Sequence, residues 1–235
     1  MAHLFVLFPI LIILAVLSHN YYRRHPATLG FYYFRNLFGL WSVCTFFNGI
    51  IAVAAIQPPL KPLLGLAIGV PFYYFAMASL ILLPFAMYKK VGILSKLLSA
   101  LVVLVGISMG ISNYFVKVVG DAAAAGIGLA PVMELFAGLD YRAWTTAIFI
   151  VPVGLFFLYE ATRARTGLAR ASMIIIAIGL IGAGIAEPQH ILAKHTVMAD
   201  FGTTAAFAIM LVGLLLPVMF KPREVGAPYQ TPRPV

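Results

Sequence analysis

Two imidazoles and two carboxylates occur within fourteen residues in the last quarter of the sequence: Glu187, His190, His195 and Asp200. Imidazole and carboxylate are ligand types that suit copper, iron, zinc or manganese. Their spacing matches no established metal motif, because the two histidines are five residues apart and a helical zinc pair needs four. The stretch predicts a metal-binding rim. Two alternatives are a solvated loop that anchors two helix ends and a docking surface for a partner protein.

A further histidine, His3, begins the first apolar segment of the chain. Two facing histidines are what a bis-histidine haem requires, and His3 with His190 would supply them if both lie near one membrane surface. The candidate cofactor is therefore a transition metal or haem. No hydrolytic GxSxG or HExxH motif is present, so whether the chain is an enzyme stays open.

A second group of polar residues lies inside apolar segments. Ser99 and Asn113 share an arc of about 60° with Gly106 and Gly110 on one predicted helix. Two interpretations stay open for this group: hydrogen bonds across helix contacts, or the lining of a pore. The other members of the group are Asn36, Asn48, Thr203 and Thr204.

Composition identifies the solvent that these residues meet. Hydrophobic residues make up 63% of the 235 residues, charged residues only 10%, and the mean hydropathy is +1.01. A soluble domain has about 45–50% and about 25% respectively. These values exclude a soluble globular domain, a disordered chain and a coiled coil. The sequence predicts an all-α, polytopic integral membrane protein.

Seven segments are long enough to cross a hydrocarbon core, which needs roughly 20 residues. We therefore expect one seven-helix transmembrane domain over 1–220, followed by a flexible, proline-rich cytoplasmic tail over 221–235. The apolar middle of the connection 120–141 predicts a short interfacial or re-entrant helix. The predicted spans are 3–19, 30–56, 63–88, 95–119, 142–160, 169–187 and 199–220.

The net charge of +9 is carried by residues at the ends of apolar runs, so it predicts membrane orientation and not nucleic-acid binding. Seven spans place twelve Lys and Arg on one side and four on the other. The richer side is cytoplasmic by the positive-inside rule, which puts the N-terminus outside and the C-terminus inside. Four cytoplasmic arginines are expected to bind anionic lipid headgroups: Arg23, Arg24, Arg163 and Arg165.

Three functions remain compatible with these patterns. The first is a membrane subunit of a metal- or haem-dependent redox assembly, whose outer rim binds the cofactor or docks other membrane subunits or an outer-side protein. The second is a channel or facilitator for a small solute. The third is a scaffold without chemistry. No Asp, Glu, Lys or Arg lies near the middle of a predicted span, which disfavours ion-coupled transport. The seventh span has no lysine for a retinal Schiff base.

Overall fold

The computed structural model of the chain describes six ranges: 2–26, 29–53, 63–88, 90–123, 141–192 and 197–220. Inside these ranges, side chains are not described at several helix ends or at some interior positions: 2–4, 52–53, 65–67, 109, 112–123, 141–146, 187–192, 197–200 and 218–220. The tail 221–235 and the predicted re-entrant segment of 126–136 lie outside the described residues.

The described residues form seven α-helices and no strand, which confirms the all-α class for that part of the chain. A π-helical segment, Leu63–Gly69, leads directly into α3. Pro71 in the first turn of α3 has no N–H for the carbonyl four residues earlier, which accounts for the irregular entry. The helices are α1 (Ala2–Arg24), α2 (Leu29–Val53), α3 (Val70–Met87), α4 (Ile93–Ala123), α5 (Tyr141–Arg163), α6 (Gly167–Leu192) and α7 (Val197–Phe220).

Three stretches among the described residues are long and apolar enough to cross a membrane: Phe5–Arg24, Val70–Met87 and Gly167–Ala186. They fall in α1, α3 and α6. Shorter apolar helical stretches occur in α4 and α7. Each described helix overlaps one of the seven predicted spans, and the largest difference is in the third, where the π-helical segment occupies the first seven residues.

Apart from α4 and α5, described helices that are neighbours in sequence pack against each other in antiparallel pairs. In the first pair, Phe8 of α1 meets Phe46 of α2, and Tyr21 stacks on Phe31 with ring centroids 4.0 Å apart. α2 packs on α3, α5 on α6 and α6 on α7 in the same way. α1 also contacts α7, and α3 contacts α5, so six helices form a closed ring, with α4 packed on the outside of α3.

Glycines let α6 approach both of its neighbours closely. A Cβ on Gly179 would lie 2.7 Å from the Ala206 carbonyl oxygen of α7. On the other side, a Cβ on Gly184 would lie 2.7 Å from Cγ2 of Val151 in α5. Small residues therefore set the spacing of these three helices, as expected where lipid supplies no hydrophobic drive between helices.

The similar small-residue stripes of the fourth, sixth and seventh spans predict that these three helices pack together, and this prediction is wrong for the described part of α4. Gly106 faces the Tyr74 side chain of α3 at a distance that leaves no room for a Cβ. Ser99 donates a hydrogen bond to the Ala78 carbonyl of α3, 3.3 Å away. The small-residue stripe of α4 identifies the face that packs, but another helix, α3, receives it.

Aromatic rings fill the inside of the helix ring. Phe34 of α2 meets Phe157 of α5 with ring centroids 5.8 Å apart. On the next turns, Phe38 and Trp41 of α2 both pack edge-on against Phe207 of α7, and the Trp41 centroid lies 4.6 Å away. Edge-to-face pairs at these distances add to the stabilisation from burial. The described centre of the bundle is thus a packed core.

Candidate functional site at the basic end of the bundle

All the arginines and lysines whose side chains are described lie at one end of the bundle, and we call it the basic end. The antiparallel order brings together the last turns of α1, α3, α5 and α7 and the first turns of α2, α4 and α6. Gly30, for example, lies beside Met87, with 3.6 Å between its ideal Cβ and Cγ of the methionine. The basic end carries Arg23, Arg24, His25, Arg35, Lys90, Lys96, Arg163, Arg165 and Arg170.

The four arginines expected to meet lipid headgroups are all exposed at this end. Arg23 and Arg24 end α1, and Arg163 ends α5 with its guanidinium carbon 5.5 Å from the centre of the Tyr159 ring. Arg165 follows in the turn to α6. An exposed arginine beside an aromatic ring at a helix end is typical of the membrane–water interface.

A buried carboxylate lies directly beneath one of these arginines. Glu160 in the last turn of α5 is 7% exposed and is the one acid among the described side chains. The Tyr88 hydroxyl, just past the end of α3, donates a hydrogen bond to its Oε1. Arg163 Nη1 lies 3.6 Å from the same oxygen and donates to the Tyr88 oxygen at 3.1 Å. We call these three residues the Tyr88–Glu160–Arg163 cluster.

Within this cluster, the negative charge of Glu160 is compensated by Arg163 and by the hydrogen bond from Tyr88. α3 and α5 both end here, so the negative ends of two helix dipoles meet beside the Glu160 carboxylate. The Arg163 charge offsets them, and the Tyr88 hydroxyl satisfies the buried oxygen. Burial, and then the contact with Glu160, raise the pKa of Tyr88 above its usual value. The phenol is therefore a protonated donor at neutral pH, and the cluster can fasten α3 to α5.

Sequence patterns did not single out Glu160 or Tyr88. They are 72 positions apart, so no spacing rule connects them, and only the fold brings them together. One signal was available: Glu160 is an acid at the end of an apolar span, three residues before an arginine.

Two of the other candidate polar residues, Asn36 and Asn48, have partners on their own helix. Asn36 accepts two hydrogen bonds from the neighbouring Arg35 guanidinium, at 3.1 and 2.8 Å. Asn48 donates to Cys44 Sγ on its own helix, over 3.7 Å. Thr203 is buried and Thr204 partly buried in α7. The side chain of Asn113 lies outside the description.

For the predicted metal rim, the structure gives the positions of four residues along their helices but not their side chains. His3 lies in the first turn of α1, Glu187 and His190 in the last turns of α6, and Asp200 at the start of α7. All four positions are at the end opposite the basic end, while His195 falls between described ranges and the side chains of the other four are not described. Among the side chains that are described, no group of three His, Cys, Asp or Glu residues could hold a metal ion.

Comparison of the chain with protein-family models, curated proteins and solved structures finds no match. The assignment of a function therefore depends on the residues and their geometry.

Proposed function

We propose that the chain is an integral membrane protein that crosses the bilayer seven times and serves as a structural or docking subunit of a membrane assembly. The proposal for the membrane is supported by the distribution of apolar side chains. Among the described residues, large hydrophobic side chains face outward on six helices, with Phe46 representing α2, and a water-soluble bundle would not tolerate this over so wide a surface. Examples are Phe5, Ile13, Leu94, Leu97, Leu101, Leu104, Leu155, Ile178, Ile185, Phe201 and Val212.

The charge distribution supports the orientation. With seven crossings, the sequence places twelve arginines and lysines on the side of the basic end and four on the other side, and the positive-inside rule puts the richer side in the cytoplasm. With seven crossings, the N-terminus is then outside and the segment after α7 is cytoplasmic, in a cytoplasmic or inner membrane if the source is bacterial. The exposed arginines at this end would bind anionic lipid headgroups, each as a point contact with a phosphate.

The aromatic core carries the functional proposal. A pore needs a continuous polar path, but the described centre where α2, α3, α5 and α7 meet is filled by Phe34, Phe38, Trp41, Phe157 and Phe207. Ser99, a candidate pore residue, is engaged with a backbone carbonyl of α3. A packed bundle of this kind suits a subunit that supports partners better than a conduit for solutes.

Flux measurement separates the subunit from the solute channel. Purified protein in liposomes is expected to give the same permeability to small polar solutes as protein-free liposomes, because aromatic side chains fill the described core. An Asn113→Leu variant serves as the comparison. Flux through the parent protein that this variant abolishes would contradict the proposal and favour the channel.

Co-purification tests the assembly itself. Mild extraction from native membranes is expected to recover the chain with a stoichiometric membrane or outer-side protein. Recovery as a lone monomer under several mild detergents would contradict a subunit role. The identity of the partner would then show whether the assembly carries out redox chemistry.

A second candidate function is metal or haem binding at the rim. The helix ends favour it, because they bring the positions of His3, Glu187, His190 and Asp200 to one end of the bundle. Metal analysis and an absorption spectrum of the native protein, with His190→Ala and His195→Ala beside it, test this function. Absence of metal and of a Soret band in the parent would rule it out.

A further inference from the structure

The bundle is divided into two halves by the way its helices pack. α1, α2 and α3 pack in sequence order, and α5, α6 and α7 do the same. α3 and α5 approach each other over a shorter stretch than neighbours within a half, and so do α1 and α7. α4 connects the halves along the chain but packs on the outside of α3. The α3–α5 contact is therefore one of two narrow seams that close the ring.

The Tyr88–Glu160–Arg163 cluster lies on this seam. Tyr88 belongs to the first half and Glu160 to the second, and Arg163 contacts both. The Tyr88 ring also packs edge-on against Phe156 of α5, with centroids 5.8 Å apart. Elsewhere the hydrogen bond of Ser172 to the Gly213 carbonyl joins two helices of the same half. The cluster thus adds a polar contact where the packing of apolar side chains is narrow.

Within the cluster Glu160 is buried, so its hydrogen bond to Tyr88 contributes to holding the seam closed. Separation of α3 from α5 would remove the Tyr88 donor from the Glu160 carboxylate and leave it only the Arg163 charge on its own helix. Loss of a hydrogen bond to a charged group is unfavourable. Glu160 also lies one turn from Phe157, whose ring packs on Phe34 of α2. A change at the seam therefore reaches the aromatic core within one helical turn.

We propose that Tyr88 and Glu160 form a latch that holds the two halves of the bundle together at the basic end, with Arg163 as its compensating charge. Loss of the latch allows the α3–α5 seam to open while each half stays folded. The latch does not depend on the orientation in the membrane or on the subunit role proposed above.

A distance measurement between the halves tests the latch. Spin labels are attached at Lys90→Cys and Thr162→Cys, two exposed positions beside the seam, in a Cys44→Ala background. The full chain in detergent is expected to give one narrow distance distribution. Tyr88→Phe, which keeps the ring on Phe156, and Glu160→Gln, which keeps an acceptor, are expected to add a population at longer distance. Loss of a hydrogen bond to a charged group predicts an increase of this population of about tenfold.

Ser172→Ala is the matched control, because it removes a buried interhelical hydrogen bond inside the second half. Its distance distribution is expected to equal that of the parent. Distributions for Tyr88→Phe and Glu160→Gln that equal the parent would overturn the latch. Equal broadening in all three variants would overturn it as well, because it would indicate general loosening and no special role for the seam.

Discussion

A proline in α7 leaves one backbone carbonyl of that helix without its usual donor, and a serine of α6 donates a hydrogen bond to it instead. Pro217 has no N–H, so the Gly213 carbonyl four residues earlier lacks its helical donor. Ser172 Oγ donates to that carbonyl over 2.7 Å, and the serine is fully buried. Replacement of Ser172 by alanine leaves the buried carbonyl without this donor. We expect the variant to lose about 1–3 kcal/mol of unfolding free energy.

A double-mutant cycle isolates this effect. Pro217→Ala restores an N–H at the position that an α-helix uses to pair Gly213. In that background we expect Ser172→Ala to cost about 1 kcal/mol less than in the parent. Ser79→Ala is the matched control, because Ser79 is also buried but donates to Phe75, whose carbonyl keeps its own helical donor.

Thermal unfolding of the purified variants in detergent measures the cycle. We expect the lowest midpoint temperature of unfolding for Ser172→Ala alone and a smaller decrease in that temperature for Ser79→Ala. Equal losses for these two serines would refute the role assigned to Ser172. Strict additivity of Ser172→Ala and Pro217→Ala would refute it too, because the two changes would then act on unrelated contacts.

Three further outcomes are expected. Gly179→Ala should lose about 1–3 kcal/mol of unfolding free energy, because its Cβ would lie 2.7 Å from the Ala206 oxygen. Gly182→Ala should be neutral or stabilising, because the nearest atom to its Cβ lies 3.4 Å away. Equal melting temperatures for the two variants would contradict the close packing of α6 on α7. Trp41→Ala should lose about 3–5 kcal/mol in thermal unfolding, since its ring packs on Phe207; a loss below about 1 kcal/mol contradicts a packed core. Arg23→Ala and Arg24→Ala should each weaken the binding of phosphatidylglycerol headgroups to the detergent-solubilised protein by about fivefold; unchanged binding contradicts the headgroup contact.

Hydrophobic runs were sufficient to predict where the helices lie. Each described helix overlaps a predicted span, because roughly twenty apolar residues between polar ends favour a helix in lipid. The bounds differ where other effects decide. α1 continues to Arg24, five residues past the predicted end, since arginine and tyrosine side chains extend a helix into the interface. In the third span, a π-helical segment precedes α3, whose first turn contains Pro71.

Helix faces predicted which residues pack but not their partners. The stripe of Ser99 and Gly106 meets α3 instead of the later helices. A face of small residues can pack against any complementary helix. Which helix it meets therefore depends on the arrangement of the whole bundle. The same limit applies to Tyr88 and Glu160, which come together only because α3 and α5 end at one level.

The metal rim stays a prediction. Periodicity places His190 on the same face of α6 as Ser172 and Gly179, and α7 packs on that face. A contact between this imidazole and Asp200 is part of that prediction, and both side chains lie outside the described ones. Sequence spacing cannot decide this, because metal ligands are set by distances across helices.

The compartment of each chain end tests whether the chain crosses the membrane seven times with its N-terminus outside. Reporter fusions at the N-terminus and after Phe220, active on only one side of the membrane, measure it in intact cells. We expect an outer N-terminus and a cytoplasmic C-terminus, with cytoplasmic accessibility at Lys90 and Arg165. Both ends in one compartment would contradict seven crossings, and the basic end on the outer side would contradict the orientation.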